Sequence, residues 1–225
     1  MRRLALPATI VVLALLVAGG YTASAGNAVY QDLDGGRQAL VAAQASMTAA
    51  TRTGDTVQLQ DAAAQLQLAE RHFNDARVRS SSDPALLAVG RLPRAGGQLA
   101  ASTHLAAIGA DMSRAGEAAA AVAIQVAALK QKYAGRPLTV EDLQAALQEA
   151  QAIAGTYSAS IQAIGQQLRA AHAERSQVDT NALVGPLKDA YVAVDRALAD
   201  SDTSFARYQD VRKVLSDFLG AKLPP

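Results

Sequence analysis

Two unbroken apolar stripes constrain this chain more than any other feature. Leu105, Ile108, Met112, Ala115, Ala119, Val122, Val126, Leu129 and Tyr133 are separated by three and four residues in strict alternation. Leu143, Leu147, Ala150, Ala154, Tyr157, Ile161, Ile164, Leu168 and Ala171 repeat the pattern after Gly135 and Pro137. Only a helix puts residues at such spacings on one face, and a seam sustained over four heptads is the pattern of helices packed lengthwise. Two such helices joined by a short Gly/Pro turn fold back as an antiparallel hairpin. At about 1.5 Å per residue, arms of about 35 residues reach roughly 50 Å. Thr139 and Asp142 stand at the spacing of a capping box for the second arm.

Composition supports the same class. The 225 residues include 52 Ala and 18 Gln, with only 4% aromatic residues. Ala loses no side-chain entropy in a helix and Gln little, whereas an all-β fold would want more β-branched and aromatic residues. Ala at so many seam positions lets backbones approach closely while each layer buries less apolar area. A Leu seam would add about 2 kcal/mol or more per buried position.

The rest of the body reads as helix too. Leu33, Leu40 and Met47 recur every seven residues in a helix from about Val29 to Thr51. Leu59, Leu66 and Phe73 do so in a helix from about Thr56 to Arg79, with Ala62, Ala69 and Ala76 as a companion row. Asp55 or Thr53 caps its start. Asp83-Pro84 reads as the cap and first turn of a short helix, and Gly90 to Gly97 as a stretch outside regular helix. Leu187, Tyr191, Val194 and Leu198 mark an inward face after Gly185-Pro186, with an interruption expected at Asp200-Ser201-Asp202-Thr203. A last stretch carries Phe205, Tyr208, Val211, Leu215 and Phe218.

The N-terminus indicates location. Arg2 and Arg3 precede an uncharged run that lasts to Asp32. Ala23-Ser24-Ala25 would serve as the exit of a cleaved signal peptide. Leu4 to Ala25, however, is 22 residues, roughly 33 Å as a helix. That exceeds an ordinary signal core and suffices to cross about 30 Å of hydrocarbon, so an uncleaved anchor is the favoured reading. On either reading Arg2 and Arg3 stay cytoplasmic and the body beyond Tyr30 lies outside, with secretion after cleavage near Ala25 as the alternative. The expected organisation is therefore an all-α chain: residues 1–28 as transmembrane anchor or signal peptide, then residues 29–225 as an elongated extracytoplasmic helical bundle. Within it, a linker falls near residues 80–97 and the long hairpin at residues 98–175.

Candidate chemistry is sparse. Zero Cys excludes disulfides, Cys-ligated metals and a thiol nucleophile. A net charge of +1 removes the electrostatic case for nucleic-acid binding. His72, His104 and His172 fit no local metal motif and read as histidines on exposed helix faces. Asp32-Leu33-Asp34-Gly35 resembles the opening of a calcium loop without its later ligands. Asp200 and Asp202 read as acids favouring a helix N-terminus, and Lys130, Lys132 and Arg136 as cations favouring the C-terminus of the first hairpin arm. No base–nucleophile constellation emerges. The expectations are no catalytic, cofactor-binding or metal residue, no cofactor and no enzyme. The expected partners are the membrane, through residues 4–25, and a protein partner or a second copy. A sensor-type ligand-binding bundle is the alternative; a buried polar pocket among the second, third and fourth long helices would favour it.

The order of features also resembles a bacterial membrane-protein family classed as domain of unknown function 4012. The resemblance lies in the basic start and single span, the run Asp32 to Leu40, the run Ala62 to Ala69, and the linker from Asp83-Pro84 through Leu92-Pro93 to Gly96, Gln98 and Leu99. Leu215 to Gly220 is similar to the segment leading into that family's second half, which carries an Asn-Asn-x-Glu-Leu-Arg-type motif and has no counterpart here. The resemblance implies architecture and envelope location, and no catalytic residue.

Overall fold

The computed structural model describes residues 5–53, 55–133, 140–181 and 183–208, with most side chains from Ala25 onward. These residues form six helices and, among them, no strand: α1 (Ala5–Thr53), α2 (Thr56–Ser82), α3 (Pro84–Val89), α4 (Pro93–Tyr133), α5 (Val140–Ser176) and α6 (Pro186–Tyr208). The all-helical class expected from the seams is observed. No helix among the described residues is long and apolar enough to cross a membrane. The side chains of the expected span from Leu4 lie outside the described residues, except Ala25 at its end.

The long helices form an antiparallel row. α1 packs on α2, α2 on α4 and α4 on α5, while α6 lies against α4 and α5. Ala39 of α1 meets Ala69 and Phe73 of α2, and Val29 meets Ala76. His104 pairs with Glu174 near one end of the α4–α5 hairpin and Lys132 with Glu149 near the other. Two strong caps set the short elements. The Asp55 carboxylate accepts from the Val57 N–H at 2.9 Å. Asp83 closes α2 by donating its backbone N–H to the Arg79 carbonyl, and opens α3 by accepting from the N–H groups of Ala85 and Leu86.

α4 is the centre. One face presents Leu105, Ile108 and Met112 to Leu168, Ala171 and Ile164 of α5 and to Leu198 of α6. Its other face is made of small residues: Ala106, Gly109, Ala110, Ser113, Gly116 and Ala120, which α2 covers. Phe73 and Leu66, seven apart on α2, seat over Gly109 and Gly116, seven apart on α4. The Phe73 ring also rests on Gly36 of α1, so it fills space left by two missing side chains.

Four expectations are corrected. The first helix does not begin near Val29; α1 runs without a break from Ala5, because one Gly at 26 costs only about 1 kcal/mol against Ala and stops no helix supported on both sides. Asp32 to Gly35 is helix interior and not a loop opening. Gly90 to Gly97 is not wholly irregular: α4 starts at Pro93, a residue suited to the first helical turn, and contains Gly96 and Gly97. The gap between Gly96 and Gly90 is so narrow that a Cβ at 96 would run into the Gly90 carbonyl. Residues 200–203 do not interrupt α6; the Ser201 and Thr203 hydroxyls donate back to the carbonyls of Ala197 and Ala199 and remain within the helix. Leu187, Tyr191, Val194 and Leu198 face inward as expected. The seam positions Leu143, Leu147, Ala150 and Ala154, the cap at Thr139, and Val211, Leu215 and Phe218 lie outside the described residues or side chains.

Candidate functional site

A group of polar and charged side chains joins α2, α4 and α5. Asp111, Arg114 and Glu117 lie three residues apart on α4, the only charged residues between Leu105 and Lys130. That spacing puts them along one edge of the helix. Asp111 is buried, and its carboxylate accepts from Arg114. Arg114 Nη1 donates to Glu70 Oε1 of α2 at 3.2 Å, and Nε donates to Gln167 Oε1 of α5 at 3.1 Å. One guanidinium thus ties three helices, a task suited to its planar fork of five donors.

Glu117 completes the group. Its Oε1 is buried without a hydrogen-bond partner. Burial pushes the Glu117 carboxyl above the ordinary carboxylate range; the negative charge of Glu70 and a hydrogen bond with it push the same way, and Arg114 opposes. The sequence signal was present, as three charges at a spacing of three inside an apolar helix, and the seam pattern masked it.

Each histidine faces a carboxylate on the neighbouring helix. His104 Nδ1 lies 2.7 Å from Glu174 Oε2, and His172 Nε2 lies 2.9 Å from Asp202 Oδ2. His72 Nδ1 stands 3.9 Å from Asp32 Oδ1. Arg79 Nε is 2.8 Å from Asp32 Oδ2, close enough for an ion pair but too bent for a hydrogen bond, so that oxygen lacks an aligned donor. The reading of histidines on exposed helix faces holds for His172, whereas His72 and His104 are half-buried, and each of the three faces an acid on the neighbouring helix. Among the described residues no group of three or more His, Asp or Glu side chains gathers as a metal site.

The remaining candidates fall elsewhere. Asp34 accepts from Arg37 and Gln38, and the Arg37 hydrogen bond holds its carboxyl below the ordinary range. Asp200 and Asp202 lie well inside α6 and not at its N-terminus, because α6 begins at Pro186. Lys132 reaches Glu149 across the hairpin, while the side chains of Lys130 and Arg136 lie outside the described residues. Arg175 donates to Asp195 and sits 5.9 Å above the Tyr191 ring, which pins α5 to α6. An open hollow on the outer face of α1 is lined by Val41, Gln44, Ala45, Thr48 and Ala49, none of them titratable.

These contacts define an all-α helical row welded by interhelical ion pairs. Compared with family models, with curated proteins and with solved structures, the chain matches none.

Proposed function

We propose that this chain is a non-catalytic, membrane-anchored helical scaffold or interaction protein of the bacterial cell envelope, with its body outside the cytoplasmic membrane. The observation that carries the reading is α1, a single helix of 49 residues that passes from the apolar N-terminal segment into the packed row without a joint. A helix shared by anchor and body transmits position and force between them, as a spacer or assembly element requires. The seams and ion pairs supply the stiffness. The resemblance to domain of unknown function 4012 supports the same architecture and location.

The test is the N-terminal sequence of the mature protein together with its extraction behaviour. The expected result is a chain that keeps Arg2 and Arg3 and stays with membranes through an alkaline wash. A mature start at Gly26 overturns the anchor. Pull-down of the intact protein in mild detergent then reads out the partner or second copy; recovery of neither removes the scaffold reading.

The Arg114 group favours one second reading, a sensor-type ligand-binding bundle, since it places charged groups among α2, α4 and α5. Here the chain's own side chains fill that space. A cationic ligand that raises the melting temperature of the wild type, and leaves Glu117→Gln unmoved, would select this reading.

A further inference from the structure

The apolar side chains left in the open are unevenly distributed. Tyr30, Val78, Leu87, Leu92 and Val184 are each about half exposed or more, and they are five of the eight large apolar residues so exposed among the described residues. All five sit at one end of the row. Tyr30, Val78 and Leu87 adjoin or nearly adjoin Val29, Ala76 and Leu86, which form one cluster with Ala106. Val184 follows Leu183, which packs on Ala101 in the same end of α4. Leu92 is in the turn that enters α4. Ala25, the last residue of the expected span, packs on the first of these clusters. That end of the row therefore stands level with the point where the apolar segment of α1 stops.

Charge at this end is mixed, and its acids are largely engaged. Arg77 and Arg91 lie beside these side chains, whereas Arg79 pairs with Asp32 and Asp83 is engaged in capping α3. On the neighbouring loop Asp179 bonds the Asn181 N–H, and Glu174 bonds His104. Half-exposed aliphatic and Tyr side chains with interspersed arginines suit the headgroup layer, where an apolar body meets lipid and a polar tip stays wet. Anionic headgroups add attraction for the cations.

We infer that the α3 end of the helical row rests on the lipid surface, with Leu87 and Leu92 entering an anionic headgroup layer beside the emerging α1. This rests on the anchored reading of the N-terminus and adds a second, peripheral contact that fixes the row upright. The depth expected for such contacts is roughly 5–10 Å from the headgroup boundary.

The chain has no Cys, so single labels are unambiguous. Nitroxides are placed by Leu87→Cys, Leu92→Cys, Val57→Cys at the far end of α2, and Ile10→Cys in the apolar segment. Each full-length variant is reconstituted in vesicles of phosphatidylcholine and phosphatidylglycerol. Accessibility to oxygen is compared with accessibility to a water-soluble nickel chelate. The expected result is several-fold oxygen preference at 87 and 92 relative to 57, weakened when phosphatidylglycerol is omitted. Water-like labels at 87 and 92 with a lipid-like label at 10 overturn this inference and leave the anchor standing. A water-like label at 10 overturns both. Residues 87, 92 and 57 are all half-exposed or more, so labels there do not disturb the core.

Discussion

At the scale of single residues, the fold depends on side chains that are missing as much as on those present. A Cβ at Gly109 would stand 2.7 Å from Phe73 ring atoms. Overpacking of this kind costs about 1–3 kcal/mol, against which the better helix propensity of Ala returns up to about 1 kcal/mol. Gly109→Ala is therefore expected to lose stability on balance in chemical denaturation, and Phe73→Leu in the same chain to recover part of that loss. Simple additivity of the two would show that ring and glycine are not coupled. Glu117 sets a pH dependence. Its folded carboxyl is raised above the unfolded value, so its contribution is complete below the unfolded value and is lost as pH rises through the folded one. Glu117→Gln should flatten the fall in melting temperature as pH rises above the ordinary glutamate value of about 4.3. An unchanged slope would mean that Glu117 ionises freely in the fold.

At the scale of elements, boundaries follow caps, and most caps were legible. Asp55 and Asp83 act where their spacing before apolar runs placed them. Asp83→Ala removes an acceptor used by two N–H groups, and about 0.5–2 kcal/mol should be lost by thermal unfolding. What misled was local punctuation. Gly96-Gly97 and Asp200 to Thr203 look like breaks in isolation, yet both are carried as helix: the first follows the Pro93 start of α4, and in the second the Ser201 and Thr203 hydroxyls bond back to carbonyls one turn earlier. Phe205, one turn beyond Ser201, packs on Gly165 of α5 and holds α6 in line. The small-residue face of α4 was also missed: Ala and Gly carry little weight in a periodicity dominated by Leu, Ile and Val. Two seams facing opposite ways leave α4 apolar nearly all round, which is the mark of a buried helix and not of one arm of a free hairpin.

At the scale of the whole molecule, α4 makes the row cooperative. Ile108 is fully buried between α5 and α6, and Ile108→Ala should cost about 2–5 kcal/mol, read as a lower denaturation midpoint. Spin labels at Met112 and Ile164 test the row directly. Packed helices stand about 8–10 Å between axes, so strong dipolar broadening is expected; labels that tumble fast and far apart would dismantle the α4–α5 pairing. The polar group around Arg114 was not foreseen as a unit. Its α4 members are visible as a spacing of three, but Glu70 and Gln167 lie 44 and 53 residues away in sequence and join only when three helices meet.

By itself the sequence determined helix, length and stripe, because those depend on local propensity and on a 3.6-residue period that any reader of spacings can count. It also placed the caps that depend on one carboxylate and the next two or three N–H groups. Tertiary structure alone decided which stripe meets which, that α2 covers the second face of α4, and that each histidine finds an acid on the next helix. Pairing between helices depends on shape, on Phe73 and Leu66 fitting over glycines, and shape complementarity between segments distant in sequence leaves no periodic trace in either one.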